Sequence, residues 1–164
     1  DADTILLENL DHLFFVESEF AAAPETFPPD NFNSGVMVLT PSQEQFEGLL
    51  RFNAERGSEE GGDQGVLNAY FNQWYNVSAD DQKCGRLPWR YNVNAVNHKT
   101  YTTLSKMRSQ PPPAVVHFVA NLKPWVMYVM HASGQQIPEE AMSQLEVHML
   151  WRSAFHFMKE LGGT

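Results

Sequence analysis

Gly35-Val36-Met37-Val38-Leu39 is a short apolar run that breaks directly into Thr40-Pro41-Ser42-Gln43. This junction constrains the fold more than any other stretch. An apolar run bounded by turn signals reads as a buried strand. Thr40 suits a helix N-cap, Pro41 the first helical position and Gln43 the far side of a capping box. Phe46, Leu49, Leu50 and Asn53 follow at i, i+3, i+4 and i+7, and the first three give the predicted helix an apolar stripe. Gly57 ends it, because glycine accepts the left-handed conformation of a helix C-terminus. The unit is therefore a strand followed by a capped helix.

The rest of the chain repeats this grammar. Asn9 to Phe14 reads as a short helical turn and Phe20 to Ala23 as a small strand. Pro24, Pro28, Pro29 and Asp30 mark a loop that runs through Asn31 and Phe32 and presents Asn33, Ser34 and Gly35. After an acidic loop, Ser58 to Gly62, a second helix is predicted with Asp63 at its N-cap. Its Leu67, Tyr70, Phe71 and Trp74 recur at helical spacing and are assigned to the core. Leu87 to Asn92 reads as extended, and residues 93–113 as irregular and polar, closing in Pro111-Pro112-Pro113. Ala114 to Val119 is the second clear strand. A final helix is predicted from Pro138, with Glu139 and Glu140 in its first turn. It is expected to bury Leu145, Met149, Trp151, Phe155 and Met158 and to end at Gly162-Gly163. Strands separated by capped helices indicate an α/β layer architecture.

Composition excludes several function classes. The 164 residues suit one domain, and 43% hydrophobic against 19% charged residues is ordinary for a globular core. A net charge of −9 repels a nucleic-acid backbone, so no nucleic acid is expected as a partner. Cys84 is the single cysteine, which excludes an internal disulfide and a cysteine-based zinc site and fits a reducing compartment. Asn76-Val77-Ser78 is a glycosylation sequon that matters only in a secretory setting. No apolar run approaches a membrane span in this segment.

Chemistry concentrates in a few places. Asp1 and Asp3 stand at i and i+2, on the same side of an extended backbone, so both can face one hard cation through oxygen. A divalent ion held there neutralises a diphosphate. His117 ends a predicted buried strand and offers an imidazole, against the plainer role of a hydrogen-bonded core histidine. Two carboxylates and one imidazole suit Mn2+ better than Ca2+. Lys123 is either a point charge for diphosphate oxygens or a solvated surface lysine. Asn33 and Ser34 by themselves read as loop chemistry.

Asp1-Ala2-Asp3, Asn33-Ser34-Gly35, Gly61-Gly62-Asp63-Gln64-Gly65, and Val116-His117-Phe118 leading to Lys123-Pro124-Trp125 occur in an order and spacing that resembles glycogenin-like enzymes of glycosyltransferase family 8. The resemblance covers residue 1 to about residue 130. It implies a nucleotide-sugar glycosyltransferase fold of GT-A type, a twisted mixed sheet flanked by helices. It further implies Mn2+ held by Asp1, Asp3 and His117. Ala2, Asn33, Ser34, Asp63, Gln64, Val119, Ala120 and Lys123 carry over as nucleotide-sugar contacts. Asp63 and Gln64 carry over as the catalytic pair beside the transferred sugar. Ala120 departs from the family's glycine, whose lack of a side chain lets backbone amides approach a phosphate. The implied reaction retains anomeric configuration and moves a hexosyl group, glucosyl first among the candidates, from a UDP-sugar to a glycan or protein acceptor. Self-glucosylating relatives use a tyrosine in the loop before the histidine-bearing strand, which makes Tyr101 a candidate acceptor. In that family the Asp-x-Asp pair lies mid-domain. Residues 1–164 are therefore expected to be the C-terminal part of the domain, without its N-terminal nucleotide-binding half and inactive alone. A homodimer is a candidate assembly, and the cytoplasm the expected compartment, with the Golgi lumen as the alternative. The competing reading is a degenerate, non-catalytic relative that serves as a binding or interaction module.

Overall fold

The computed structural model describes residues 1–58, 61–76, 84–119 and 121–161, without the side chains of Cys84 and Glu140. Its strands are β1 (Thr4–Leu6), β2 (Phe20–Pro24), β3 (Phe32–Leu39), β4 (Cys84–Arg86), β5 (Val93–Asn94) and β6 (Val115–His117). Its helices are α1 (Gln43–Arg56), α2 (Asp63–Tyr70), α3 (His98–Met107), α4 (Pro124–Ala132) and α5 (Leu145–Leu161). The chain divides into two compact units: Asp1 with Glu8–Asn92, and Ala2–Leu7 with Val93–Thr164.

The first unit holds a three-stranded sheet of order β3-β2-β4. β2 runs antiparallel to β3 and parallel to β4, so the sheet is mixed. β3 starts earlier than the apolar run does. Phe32 to Gly35 are its buried residues, whereas Val36 to Val38 are half-buried and Leu39 is exposed. Asn33, Ser34 and Gly35 are thus strand residues, not loop residues. The cause is a side chain standing in for a neighbouring strand. Asn68 on α2 accepts from the Phe32 amide and donates to the Phe32 carbonyl, both at 2.9 Å. Backbone groups buried this way need such partners.

Phe20, Ala22, Phe32, Phe71 and Trp74 form the core of this unit. Phe20 stacks on Phe71 at 4.1 Å, and Phe32 meets Trp74 edge-on at 5.4 Å. The aromatic face expected over Leu67 to Trp74 is therefore core, although α2 itself stops at Tyr70 and Trp74 begins a 3-10 turn. The Trp74 indole donates to the Gly85 carbonyl at 3.1 Å, which ties this turn to β4.

Ser42, not Thr40, is the N-cap of α1, accepting from the Gln45 amide at 3.2 Å. Thr40 extends the sheet instead, donating its hydroxyl to the Ser18 carbonyl and its amide to the Glu19 carbonyl. No residue of α1 is buried, and Phe46 and Leu50 stand exposed. The helix touches the core along a narrower seam than the stripe suggests. Leu49 packs against the core cluster and Phe52 meets Tyr70 edge-on at 5.6 Å. Gly57 closes the helix at φ 65°, as its position requires. Asn9 to Phe14 becomes a 3-10 turn over Asp11–Phe15, and the segment read as extended contains another over Trp89–Tyr91.

The second unit has a three-stranded sheet of order β1-β6-β5, also mixed. β6 pairs antiparallel with β1, placing Thr4 opposite His117 and Ile5 opposite Val116, and parallel with β5. Val116, Phe118, Ala95 and Val147 form its core, with Ile5 and Trp151 packed against them. Residues 93–113 are not irregular. The Asn94 side chain accepts from the Val96 amide at 3.0 Å and starts a 3-10 turn that runs into α3. α3 buries only His98 and Ser105, so it has little apolar periodicity to read. The final helix starts later than Pro138, which caps a 3-10 turn over Glu139–Gln144. α5 buries Val147 and His148, while Met149, Phe155 and Met158 remain exposed. Only the first turns of α5 dock on the sheet core. Among the described residues no helix is long and apolar enough to cross a membrane. Val77 and Ser78 of the sequon and Gly162-Gly163 lie outside the described residues.

Candidate functional site

The β1–β6 ladder delivers the first cluster. One step beyond the Thr4–His117 pair, the Phe118 amide donates to the Asp3 carbonyl at 2.8 Å. The register therefore holds Asp3 against the end of β6. There the His117 Nε2 lies 3.2 Å from Asp3 Oδ1. Lys123 reaches the other carboxylate oxygen, Nζ to Oδ2, at 2.5 Å, and also donates to the Phe118 carbonyl at 2.6 Å. Lys123 is the N-cap residue of α4, and Pro124 fills the first helical position. A strand end and a helix start thus fix its backbone on either side of a short connection.

Burial sets the protonation states. It pushes the His117 pKa below the ordinary histidine value, and the attraction of Asp3 only partly opposes this. The ring is neutral near pH 7, and Nε2 can donate to the Asp3 carboxylate or, in the other tautomer, offer a lone pair to a cation. For Asp3, burial alone would raise the pKa. The Lys123 hydrogen bond and the charges of His117 and Lys123 outweigh it and hold the carboxyl below its usual range. A protonated His117 adds to that pull. A carboxylate oxygen and a neutral imidazole nitrogen this close form a donor set that fits a divalent transition ion.

The second cluster lies in the first unit, where β3 meets α2. Asn33 is buried and both ends of its amide are engaged. Its Nδ2 donates to Glu25 at 2.7 Å, while its Oδ1 accepts from the Gly35 amide at 2.9 Å and from Asn92 at 2.7 Å. Gln64 accepts from the Ser34 amide at 3.1 Å and donates to the same Glu25 oxygen at 3.4 Å. Glu25 therefore fixes which end of each amide faces which way. Sequence reasoning passed over Glu25 and Asn92. The only trace of Glu25 is a carboxylate immediately after Pro24 at the end of β2.

The structure brings Asn33, Ser34 and Gln64 together in one unit, and Asp3, His117 and Lys123 in the other. Asp1 belongs to the first unit, where its backbone nitrogen donates to the Gly35 carbonyl at 2.7 Å. Asp63 is exposed in the first turn of α2, and Gly62, not Asp63, is the N-cap. Ala2 is exposed, as is Val119 beyond β6. Tyr101 is half-buried on α3, on a helix rather than in a loop. Ala120 lies outside the described residues.

The family profile described as glycosyl transferase family 8 matches residues 1–128. Human glycogenin-1 is 39% identical over 159 residues, covering 94% of this chain and 43% of its own length. Glycogenin-1 of Caenorhabditis elegans is 41% identical over 125 residues, covering 76% of this chain and 28% of its own length. A protein of Arabidopsis thaliana named putative UDP-glucuronate:xylan alpha-glucuronosyltransferase 4 is 31% identical over 161 residues, which is 98% of this chain and 26% of that protein. The chain spans less than half the length of these curated relatives.

Proposed function

The chain belongs to glycosyl transferase family 8, and on that premise we propose that it carries the metal and sugar site of a retaining, Mn2+-dependent glycosyltransferase. The protein moves a hexosyl group, glucosyl first among the candidates, from a UDP-sugar to a glycan or protein acceptor in the cytoplasm. One observation carries this reading: a buried, neutral His117 and an ionised Asp3 are brought to 3.2 Å by the β1–β6 register, with Lys123 on the same carboxylate. The Arabidopsis relative's printed name, with its UDP-sugar, favours the same donor class.

Asp3, His117 and, two residues upstream of Asp3, Asp1 are the residues to hold the cation, which neutralises charge on a diphosphate leaving group. Lys123 adds a fixed positive charge for the same oxygens. Asn33, Ser34 and Gln64 address sugar hydroxyls, and the Glu25 hydrogen bonds keep the amides of Asn33 and Gln64 in one orientation. Asp63, exposed beside Gln64 in sequence, is free to accept from a sugar hydroxyl. Tyr101 is the candidate acceptor for self-glycosylation. Tyr101→Phe protein that still labels itself with donor sugar would remove it from that role.

The deciding experiment is Asp3→Ala in the full-length protein, assayed for transfer from labelled UDP-glucose with Mn2+. A loss of kcat/KM of about 100-fold or more is expected, with the circular dichroism spectrum retained. Unchanged turnover by the folded variant would refute the metal role.

A further inference from the structure

α4 and α5 enclose an open-mouthed cavity of about 240 Å³ within the second unit. Met127, Ile137 and Leu145 supply apolar wall, and His148, Tyr128 and Arg152 the polar part. His148 is only 6% exposed, yet neither ring nitrogen has a hydrogen-bond partner among the described residues. Phe118 packs on the imidazole at 5.1 Å. Burying a polar group without a partner is costly, so such a group in a cavity wall marks a place for one.

Arg152 stands one helical turn beyond His148, at i+4, on the same face of α5. Its guanidinium lies 5.9 Å from the Tyr128 ring centre and forms no ion pair among the described residues. An N–H donor and a guanidinium fork one turn apart match a planar carboxylate. A dianionic phosphate is too strongly hydrated for the apolar walls. A cavity of about 150 Å³ accommodates benzene, so this one admits a ring with a short chain. We propose that the α4–α5 cavity binds a small amphipathic carboxylate, its apolar body against Met127, Ile137 and Leu145 and its carboxylate on His148 and Arg152. The site shares no side chain with the Asp3–His117–Lys123 cluster, although Pro124 lines it and Phe118 packs on His148, and its test needs no sugar transfer.

Calorimetric titration of the full-length protein with 3-phenylpropionate provides that test, against 3-phenylpropanol and 3-phenylpropylamine as uncharged and cationic controls. One saturable site for the carboxylate is expected, about tenfold or more weaker for both controls. Arg152→Gln should weaken the carboxylate about tenfold without altering the melting temperature, since Arg152 is exposed. His148→Phe, which keeps a ring of similar volume, should weaken it comparably. Absence of saturation in the folded protein, from water or another part of the chain filling the cavity, would overturn the proposal. So would carboxylate binding that both variants leave unchanged.

Discussion

Replacing Asp3 by Asn keeps the shape of the side chain and removes its charge. Lys123 then keeps the Phe118 carbonyl but loses the carboxylate it meets at 2.5 Å. A charge-assisted hydrogen bond contributes about 1.5–3 kcal/mol when partly sheltered. Asp3 and Lys123 are 16% and 26% exposed, so solvent screening brings the expected loss to about 1–2 kcal/mol. In a chain of this size that lowers the melting temperature by about 3–6 °C. The pH dependence fixes the origin. The folded pKa of Asp3 lies below its unfolded value of 3.8, so its contribution is complete above that pH and is lost as pH falls through the folded pKa. The gap between wild type and Asp3→Asn must therefore close in strong acid. Between pH 7 and 5 it should widen slightly instead. Asp3 raises the His117 pKa against burial, so without Asp3 the folded state takes up a proton even later than the unfolded one. Urea denaturation at pH 7, 5 and 3, alone and combined with Lys123→Met, measures all of this. A gap that persists unchanged into acid, or two substitutions whose effects simply add, would refute the ion pair as the cause.

Packing gives two sharper tests of the first unit, both read by urea denaturation. Trp74→Ala should cost about 3–5 kcal/mol, because the ring is 1% exposed and fills the core between Phe32 and β4. Gly85→Ala should cost about 1–3 kcal/mol, since its new methyl group would lie 2.8 Å from Ser18 Oγ and 3.1 Å from the Ala21 Cβ, both buried. Gly48→Ala meets only the hydroxyl end of Tyr70, which can shift, and gains up to about 1 kcal/mol of helix propensity. A larger cost at Gly48 than at Gly85 would contradict the packing described.

Residues whose role follows from local chemistry were legible in the sequence. The left-handed φ of Gly57, the core face of Leu67 to Trp74 and the strand leading to His117 all depend on periodicity or on a single residue's backbone freedom. Residues whose role depends on a distant partner were not. Nothing local shows that Asn68 would supply a strand's hydrogen bonds to Phe32 and so draw Asn33 and Ser34 into β3. Thr40 is as good a cap as Ser42 until the Ser18 carbonyl competes for its hydroxyl. α3 carries little helical signal, because Thr100, Thr102 and Thr103 weaken it and only two of its residues are buried. On α5, Phe155 and Met158 share a helical period with Val147 and His148 without sharing their burial, and Met149 lies on another face of the helix.

Lys123 shows where local reading fails at the site itself. Its two sequence-level roles were diphosphate ligand and solvated surface lysine, and its geometry matches neither alone. At 26% exposure and with two protein acceptors it is not a solvated lysine. In the ligand-free chain its charge balances Asp3, so the trio of Asp3, Lys123 and neutral His117 carries no net charge. Without Lys123, Asp3 would lose the hydrogen bond that most opposes the cost of its desolvation. The lysine therefore stabilises the same carboxylate that the proposed cation requires. Its removal by substitution would lower activity through two routes at once: a weaker charge for the diphosphate, and an Asp3 whose pKa rises and whose position loosens. Loss of transfer in Lys123→Met would thus identify no role by itself. The separation lies in the linkage: the structural route must appear as acid-sensitive stability coupled to Asp3, while the diphosphate route must appear as weakened UDP binding in protein that is still folded.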